Sequence, residues 1–529
     1  MAVEIKSTYH TPLIAKDVPT WRTYQTQLNN LGNLHIAINH EEENKETTVN
    51  GRLTWRDLFP QVFASVIAFM LVVQPGINMT YSNILLRNIN ISNSSQYSWL
   101  TSMLVLCTPI GAVLIGVIMD RIGRKKACLL TCVPLLIAWS IASIATIFPD
   151  HIGLFYACRV FAGIGGERQL VSGMTTVSLV YVSEIAMSSY KQVLLSLNSV
   201  FLAFGILFAV MIGHTVPWPA INVVFLIFTV VTMLLIAVFL PESPSWIVKF
   251  RSEDVRRAKG SLKTIYPNNN KLYSDEWDRL NVPPAIPLLF KSTLARRLSP
   301  RVLRPVGILA VMFLLQQLSG CYPVIFYAVP VFKSIVPDGQ VDEMNTLVTF
   351  GMIRFFVCAL TCALSLHVGR RPLMMISSVG MACSSLLVAA TYKLNAPVAA
   401  GADGPPPPEP SVWDFHVALP LTGIMMFVCS SSLGALVFPW TLVSELLPTS
   451  DRATAGGFLI SYAYIIMFFV LKMFPVVFEA VSVPGVFTVF AVASLAMAVH
   501  VYAALPETLG KHFFEIEDYF AKDYRPFGC

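Results

Sequence analysis

Twelve long apolar stretches limit what this chain of 529 residues can fold into more than any other feature of its sequence. Each is long enough to cross a bilayer, which takes about 20 residues in a helix. A segment in lipid must satisfy its own backbone hydrogen bonds, so these stretches predict helices. They lie near 59–86, 97–118, 127–148, 152–181, 192–213, 221–240, 305–335, 345–366, 372–392, 416–442, 453–479 and 484–505.

The composition is typical of a membrane protein rather than a soluble globule. Hydrophobic residues make up 55% of the chain and charged residues only 13%, so most side chains must face lipid or one another. The net charge of +6 does not indicate a nucleic-acid partner, because the basic residues cluster between apolar stretches and no nucleic-acid-binding motif is present. All cysteines but Cys529 lie in apolar stretches, without a CxxC pair, which favours buried free thiols.

A basic turn occurs at corresponding positions of the two halves of the chain. The apolar run from Gly111 leads directly into a turn that holds Arg121, Arg124, Lys125 and Lys126. A fainter copy occurs at 366–372. This repeat predicts an all-α polytopic membrane protein with twelve transmembrane helices in two pseudo-symmetric six-helix bundles.

The distribution of charge predicts both the domains and their orientation. The polar block between the bundles carries thirteen basic and six acidic residues, and Lys and Arg favour the cytoplasmic side. This block and both termini are therefore predicted to be cytoplasmic, while sequons at Asn90 and Asn93 fall in the first outer loop as candidate glycosylation sites. The predicted domains are a polar tail at 1–57, a first bundle at 58–240, a helical linker at 241–304, a second bundle at 305–505 and a tail at 506–529.

Nine short motifs between residues 55 and 515 carry a resemblance to a known family. In chain order they are Gly116-x-x-x-Asp120-Arg-x-Gly-Arg-Lys, Arg159, Glu184, Pro241-Glu-Ser-Pro244, Gln316-Gln-Leu-Ser-Gly320, Gly369-Arg-Arg371, Pro439-Trp440, Glu445 with Arg452, and Pro506-Glu-Thr508. This series resembles the sugar-porter branch of the major facilitator superfamily, which includes facilitative glucose transporters and insect trehalose transporters. The resemblance implies a plasma-membrane carrier of a sugar that works by alternating access. No metal or cofactor motif and no catalytic constellation is visible.

Charged residues at the ends of the spans are candidates for an inner gate. Ion pairs among them are predicted to latch the two bundles while the gate is shut and to break when it opens. The alternative is that they only orient the chain, because an exposed ion pair contributes about 0–1 kcal/mol. The candidates are Asp120, Arg121, Arg124, Arg159, Glu184, Arg371, Glu445 and Arg452.

The seventh span is the predicted wall of the substrate site. Gln316 and Gln317 lie in an otherwise apolar helix, where an amide is costly unless it meets a ligand, water or another polar group. An amide both donates and accepts hydrogen bonds, which suits a sugar hydroxyl. Gly320 and Pro323 interrupt the helix, so that the outer half with Tyr327 can bend as a gate. Polar contact between helices is the alternative for both glutamines.

Four further residues are assigned to the substrate site. Trp440 offers a flat amphipathic ring for a pyranose, or alternatively an interfacial anchor. The resemblance aligns Asn78 with the acid of proton-coupled sugar porters, and because Asn does not titrate it predicts a facilitator. By the same resemblance, Tyr322 and Ser199 replace two amides of the family, so the pocket differs from a standard hexose pocket.

Arg354 is the most unusual residue of the predicted pocket. A guanidinium in the middle of a span is costly unless it meets water, an anion or a carboxylate. Three interpretations of Arg354 stay open. It contacts an acidic or phosphorylated substrate, it is paired inside the bundle or snorkels toward a membrane surface, or it belongs to a degraded pocket. The segment Glu167–Val171 adds five residues to the family spacing and is either an insertion, a splice form or a faulty gene prediction.

The sequence therefore predicts a facilitative sugar uniporter in the lipid bilayer. A transport-inactive relative or sugar sensor and a proton-coupled sugar symporter remain alternatives. The identity of the solute stays open between a hexose, trehalose and something charged. The oligomeric state also stays open.

Overall fold

The computed structural model describes residues 55–89, 94–149, 151–166, 177–251, 254–267, 269–281, 299–335, 342–394, 415–448, 452–509, 511 and 513–520. Residues Met1–Leu58 form a unit of their own, of which only the first turn of one helix is described. The remaining observations concern the second unit, Phe59–Cys529. The predictions for Asn90, Asn93 and Glu167–Val171 lie outside the described residues.

The described residues form helices and no strand. The first half contains α1 Trp55–Asn88, α2 Ser94–Ile122, α3 Arg124–Ala145, α4 Ile152–Gly166, α5 Val177–Ile185, α6 Ser188–Thr215 and α7 Trp218–Phe239. The polar block contains α8 Pro244–Phe250, α9 Val255–Ile265 and α10 Asn270–Asn281. The second half contains α11 Pro300–Leu318, α12 Cys321–Phe326, α13 Ala328–Ile335, α14 Glu343–Leu364, α15 Arg370–Leu394, α16 Phe415–Leu433, α17 Phe438–Leu446 and α18 Arg452–Ala504, followed by α19 Phe513–Asp518.

These helices account for the twelve predicted spans. Nine described helical stretches are long and apolar enough to cross a membrane. One of them, α18, is two spans joined at Ser482, whose φ of 64° is not helical. The second span is α2, with 29 residues, and the described parts of the fourth are α4 and α5. The predicted all-α fold is therefore confirmed, although the seventh and tenth spans are each broken where a single helix was expected.

Packing divides the spans into two halves that meet along two seams. In the first half α3 packs against α4 and α7, and in the second α15 packs against α16 and α18. Gly76 of α1 and Gly205 of α6 allow their backbones to touch, because a Cβ on either would overlap backbone atoms of the other helix. The halves meet where α2 packs against α18 and where α6 packs against α14.

The seventh span is broken twice, into α11, α12 and α13. Gly320 separates the first two helices with a φ of +82°, and a Cβ there would overlap the ring of Phe490, so glycine is the residue that fits. A second break at Tyr327 separates α12 from α13. Tyr322 lies in α12, between the two breaks, and is buried.

Short helices of the polar block cover one end of the first half. Ser243 caps α8, because its hydroxyl accepts a hydrogen bond from the Trp246 backbone N–H at 3.2 Å. Tyr266 ends α9 as a buried residue. Burial raises the pKa of its phenol above the ordinary value, and the nearby carboxylate of Glu276 raises it further. We call this end of the spans, where α2 meets α3 and α14 meets α15, the basic end.

Candidate functional site

A cavity of about 280 Å³ lies between the two halves. One wall is α6 of the first half, and the facing wall consists of α14 and α17 of the second. The lining extends from Tyr322, deep in the molecule, to Glu445 and Lys511 at the basic end. Its polar and charged members are Lys191, Ser196, Asn198, Ser199, Tyr322, Arg354, Thr361, Ser365, Arg370, Trp440, Thr441, Ser444, Glu445, Thr508 and Lys511.

Four of the eight residues predicted for the substrate site line this cavity: Ser199, Tyr322, Arg354 and Trp440. The indole N–H of Trp440 donates to the Tyr322 hydroxyl at 2.9 Å. The Trp440 ring is half-buried and lies 4.9 Å from the ring of Phe313, centroid to centroid. The indole is thus held in place from behind, while part of its surface faces the cavity.

The two glutamines of the seventh span are fully buried and are not part of the cavity lining. The amide nitrogen of Gln316 donates to the carbonyl oxygen of Ala435 at 2.6 Å, in the turn between α16 and α17. The side-chain oxygen of Gln316 and both side-chain polar atoms of Gln317 have no hydrogen-bond partner among the described residues. Gln316 therefore joins two helices in this conformation, as its alternative interpretation proposed.

Arg159 does not lie near the inner-gate residues with which it was predicted. It is fully buried, and its guanidinium donates to the backbone oxygen of Asn78 at 2.9 Å and to the Ser82 hydroxyl at 2.7 Å. It also lies over the ring of Tyr81 at 5.1 Å. Arg159 is near the start of the fourth span and Glu184 near its end. Arg159 instead holds α4 against α1.

At the end opposite the basic end, Asn83 of α1 joins the halves through the broken seventh span. Its amide nitrogen donates to the carbonyl oxygen of Ile325 at 2.8 Å, and its amide oxygen accepts from the backbone N–H of Val329 at 3.2 Å. In a continuous helix Val329 would donate to Ile325, four residues earlier. The side chain of Asn83 takes the place of that missing hydrogen bond, so it both stabilises the break and ties it to the first half.

Two further contacts close the same end. The rings of Tyr97 in α2 and Tyr327 meet edge to face, with centroids 5.2 Å apart. Lys472 of α18 donates to the Ser98 hydroxyl at 2.8 Å and lies 4.2 Å from the centroid of the Trp99 ring. Predicted residue Tyr327 is therefore part of a closed contact between the halves rather than of the cavity wall.

At the basic end of the first half, charged side chains form a compact cluster. Arg124 donates to Glu184 at 2.8 Å and to Asp120 at 3.0 Å, and the Ser243 hydroxyl donates to Glu184 as well. Glu242 accepts from the backbone N–H groups of Arg124 and Lys125, at 2.7 and 3.0 Å. A carboxylate at these N–H groups caps the start of α3 and matches the positive end of its dipole.

The second half repeats this arrangement with different residues. Arg370 donates to Glu445 at 3.2 Å, and the Thr508 hydroxyl donates to the same carboxylate at 2.7 Å. Glu507 accepts from the backbone N–H groups of Arg370 and Arg371, at 3.0 and 3.2 Å. The guanidinium of Arg371, which was predicted to pair in the gate, instead donates to the backbone oxygen of Tyr502 at 2.7 Å.

Within the described residues, the ion pairs of each cluster stay within one half, so they do not form the predicted latch between the halves in this conformation. Arg121 is exposed. The side chain of Arg452, at the start of α18, lies outside the described part of the chain. The two clusters brace each half separately, and this leaves the cavity between them accessible from the basic end.

The cavity wall also contains residues that were not predicted. The amide oxygen of Asn198 in α6 has no hydrogen-bond partner in the described part of the chain, and Thr361 of α14 and Lys191 of α6 line the same space. Asn198 could have been found by the rule applied to Gln316, because it is an amide in an apolar helix. The arrangement offers hydrogen bonds, an aromatic face and positive charge. Within the described residues no group of His, Cys, Asp or Glu is arranged to hold a metal ion.

Comparison with known proteins gives three kinds of match. The profile of the family described as "Sugar (and other) transporter" matches residues 39–520. The facilitated trehalose transporter Tret1 of Bombyx mori is 27% identical over 472 residues, which is 87% of this chain and 86% of that protein. The sugar transporter ERD6-like 6 of Arabidopsis thaliana is 28% identical over 434 residues, covering 80% and 82% respectively. The structure of the proton:xylose symporter XylE with bound 6-bromo-6-deoxy-D-glucose superposes with a TM-score of 0.66 at 18% sequence identity. The superposition covers 87% of this chain and 99% of the other, so the two proteins share a fold.

Proposed function

This chain belongs to the family of sugar (and other) transporters, and from that premise we propose that it is a facilitative uniporter for a sugar or sugar-like solute. The observation that carries the proposal is a cavity between the halves that extends to one end of the spans and is closed at the other. Such a geometry fits a carrier that exposes one site to each side in turn.

The contacts suggest how the two halves move. Each half is braced at the basic end by its own cluster around Arg124 or Arg370, so each can rotate as a unit. The other end is joined by Asn83 and by Lys472, each through two hydrogen bonds. Opening that end requires those bonds to break, while α6 and α14 close over the cavity. In that closed state, acids of one cluster would approach bases of the other and form the latch predicted from the sequence.

A bound sugar has suitable partners on both walls. A pyranose ring has apolar C–H faces that pack on an aromatic ring such as Trp440. Asn198 and Thr361 face the cavity with groups that can exchange hydrogen bonds with hydroxyls. Gln316 and Gln317 stay predicted substrate residues for a conformation in which the turn at Ala435 has moved.

Uniport is proposed because Asn78 cannot carry a proton and the cavity wall contains a single carboxylate, Glu445, among its described residues. That carboxylate is already engaged, because it accepts from Arg370 and Thr508. The Bombyx relative is named a facilitated transporter, in agreement with this choice. Proton symport, the activity in the name of XylE, is the second candidate, with Glu445 as its proton carrier.

The basic end is proposed to face the cytoplasm of a cell whose plasma membrane holds the protein. The bias of Lys and Arg toward this end supports that orientation. In this orientation both termini and α8–α10 lie in the cytoplasm, and Asn90 and Asn93 lie outside the cell.

Counterflow in proteoliposomes tests the proposal. Vesicles with the purified protein are loaded with unlabelled glucose or trehalose and placed in a trace of the labelled sugar. A carrier gives a transient accumulation of label, because exchange continues without a net gradient. Trp440→Ala should reduce the initial rate about tenfold, since a stacking contact and a donor together contribute about 1–2 kcal/mol. Trp277→Ala, in α10 outside the cavity, is the matched control.

Two outcomes separate the alternatives. An imposed inward proton gradient should not drive accumulation of the sugar in a uniporter, and accumulation would establish symport. A sugar that stabilises the purified protein against heat but shows no counterflow would favour a sensor. The sensor is a specific alternative because Gln316, a predicted substrate residue, already donates to Ala435.

A further inference from the structure

Arg354 lies deep in the membrane-spanning part of the cavity wall. It is only 2% exposed and lies in the middle of α14, about 15 Å from either end of that helix at 1.5 Å per residue. From this depth the side chain cannot reach either membrane surface. Snorkelling, one of its possible interpretations, is therefore excluded by its position.

The guanidinium has donors without acceptors. Its Nε and Nη1 atoms have no hydrogen-bond partner within the described residues, although a guanidinium carries five N–H donors and no acceptor. The Cys358 thiol, one turn further along α14, lines the same cavity, but a thiol sulfur is only a weak acceptor. The lining carboxylate, Glu445, is already engaged by Arg370 and Thr508.

The cavity as a whole is positively charged. Its lining includes four cationic side chains and one carboxylate: Lys191, Arg354, Arg370 and Lys511 against Glu445. A low-dielectric cavity concentrates such a field and attracts anions from the side to which it opens. A planar guanidinium at its inner end suits a carboxylate or phosphate, which it can bind through two parallel hydrogen bonds.

The geometry points to a polyhydroxylated anion, such as a sugar acid or sugar phosphate, as the substrate of this carrier. The inference rests on the proposed function and narrows it. The anionic group binds Arg354 at the inner end of the cavity, and the hydroxyl-bearing part lies against Trp440 and faces Asn198. Binding satisfies the open donors of Arg354 and neutralises its charge before the halves close, so the loaded carrier reorients with less charge in the membrane.

Thermal stabilisation of the purified protein in detergent tests this choice of substrate. The probes are glucose, glucuronate, glucose 6-phosphate and inorganic phosphate, each titrated to give a dissociation constant from the shift in unfolding midpoint. The expected result is that glucuronate or glucose 6-phosphate binds at least tenfold more tightly than glucose and than inorganic phosphate. A preference shown by glucuronate alone identifies a carboxylate, and one shown by glucose 6-phosphate alone identifies a phosphate.

Variants separate a specific contact from general attraction. Arg354→Asn should reduce the preference for the sugar anion over glucose to less than twofold. Arg354→Lys should retain part of that preference because the charge remains. Arg257→Asn removes a positive charge from the exposed surface of α9 and should leave the preference unchanged.

The inference is overturned if the unaltered chain binds glucose as well as both sugar anions, or if a folded Arg354→Asn variant keeps the anion preference. The unaltered chain decides the question even where a variant does not fold. Counterflow of a neutral sugar without anion preference overturns this inference alone, while failure of every probe in both binding and counterflow overturns the proposed function with it.

Discussion

Replacing Asn83 by alanine should shift the protein toward a state that is open at the end opposite the basic end. The Asn83 amide supplies two hydrogen bonds across the boundary between the halves, to the Ile325 carbonyl oxygen and from the Val329 N–H. Both partners belong to the break in the seventh span. Alanine cannot make either bond, so the closed state is left with a buried donor and a buried acceptor.

The size of the shift follows from those two bonds. A typical intramolecular hydrogen bond contributes about 1 kcal/mol net, and the cost is higher where its partner remains buried and unsatisfied. When this end opens, water reaches both backbone groups, so the open state does not bear this cost. The closed state should therefore lose about 2 kcal/mol relative to the open state, which multiplies the open-to-closed ratio about thirtyfold.

Distance measurements between spin labels read this ratio directly. Labels at Gln96→Cys in α2 and Ser334→Cys in α13 lie on opposite halves near the affected end, in a background without native cysteines. Double electron–electron resonance should show a second, longer distance that gains population in Asn83→Ala. Asn88→Ala is the matched control, because the Asn88 amide donates within its own helix, to the Ile84 carbonyl oxygen at 2.8 Å. Unchanged distances in Asn83→Ala, or an equal change in the control, would refute the role given to Asn83.

Two further substitutions test the fold around the site. Gly320→Ala should lower the stability of the purified protein by about 2 kcal/mol, because the new side chain would sit on a left-handed backbone and overlap Phe490. The control Gly457→Ala should not lower the unfolding midpoint, because a Cβ there meets open space. Equal effects of the two substitutions would show that a side chain does not strain the break. Arg370→Gln should cost about 2 kcal/mol more than Arg371→Gln in the same thermal unfolding assay, because the buried Arg370 guanidinium donates to the Glu445 carboxylate, whereas that of Arg371 donates to a backbone oxygen. The reverse order would exchange the two roles.

The fold was predictable because lipid imposes a simple rule on sequence. Helices in a bilayer must be long, apolar and internally hydrogen-bonded, so hydropathy alone located the spans. The breaks within and between helices were harder to predict from the sequence. Gly320 and Pro323 indicated one in the seventh span, and the boundary predicted between 479 and 484 falls at Ser482, but the left-handed backbone of that serine was not predicted. A positive φ at serine depends on neighbouring helices rather than on the local sequence.

The cavity wall was only half predictable, and Gln316 shows why. An amide in an apolar helix must find a partner, but sequence does not say whether the partner is a ligand or a backbone group. Here the partner is Ala435, 119 residues away, whose carbonyl is freed by the turn between α16 and α17. Neighbouring arginines pose the same difficulty. Adjacent helical positions differ by about 100°, and this rotation decides that Arg370 rather than Arg371 faces Glu445.

Chemical accessibility of the cavity tests the central claim, a binding site open to one side at a time, most directly. Thr441→Cys places a single thiol on the cavity wall, in a background without native cysteines. A membrane-impermeant maleimide is then applied to sealed inside-out and right-side-out vesicles. The thiol should react only from the membrane side that the basic end faces and be protected by the transported solute. Simultaneous reaction from both sides, or reaction that no solute slows, would contradict the claim.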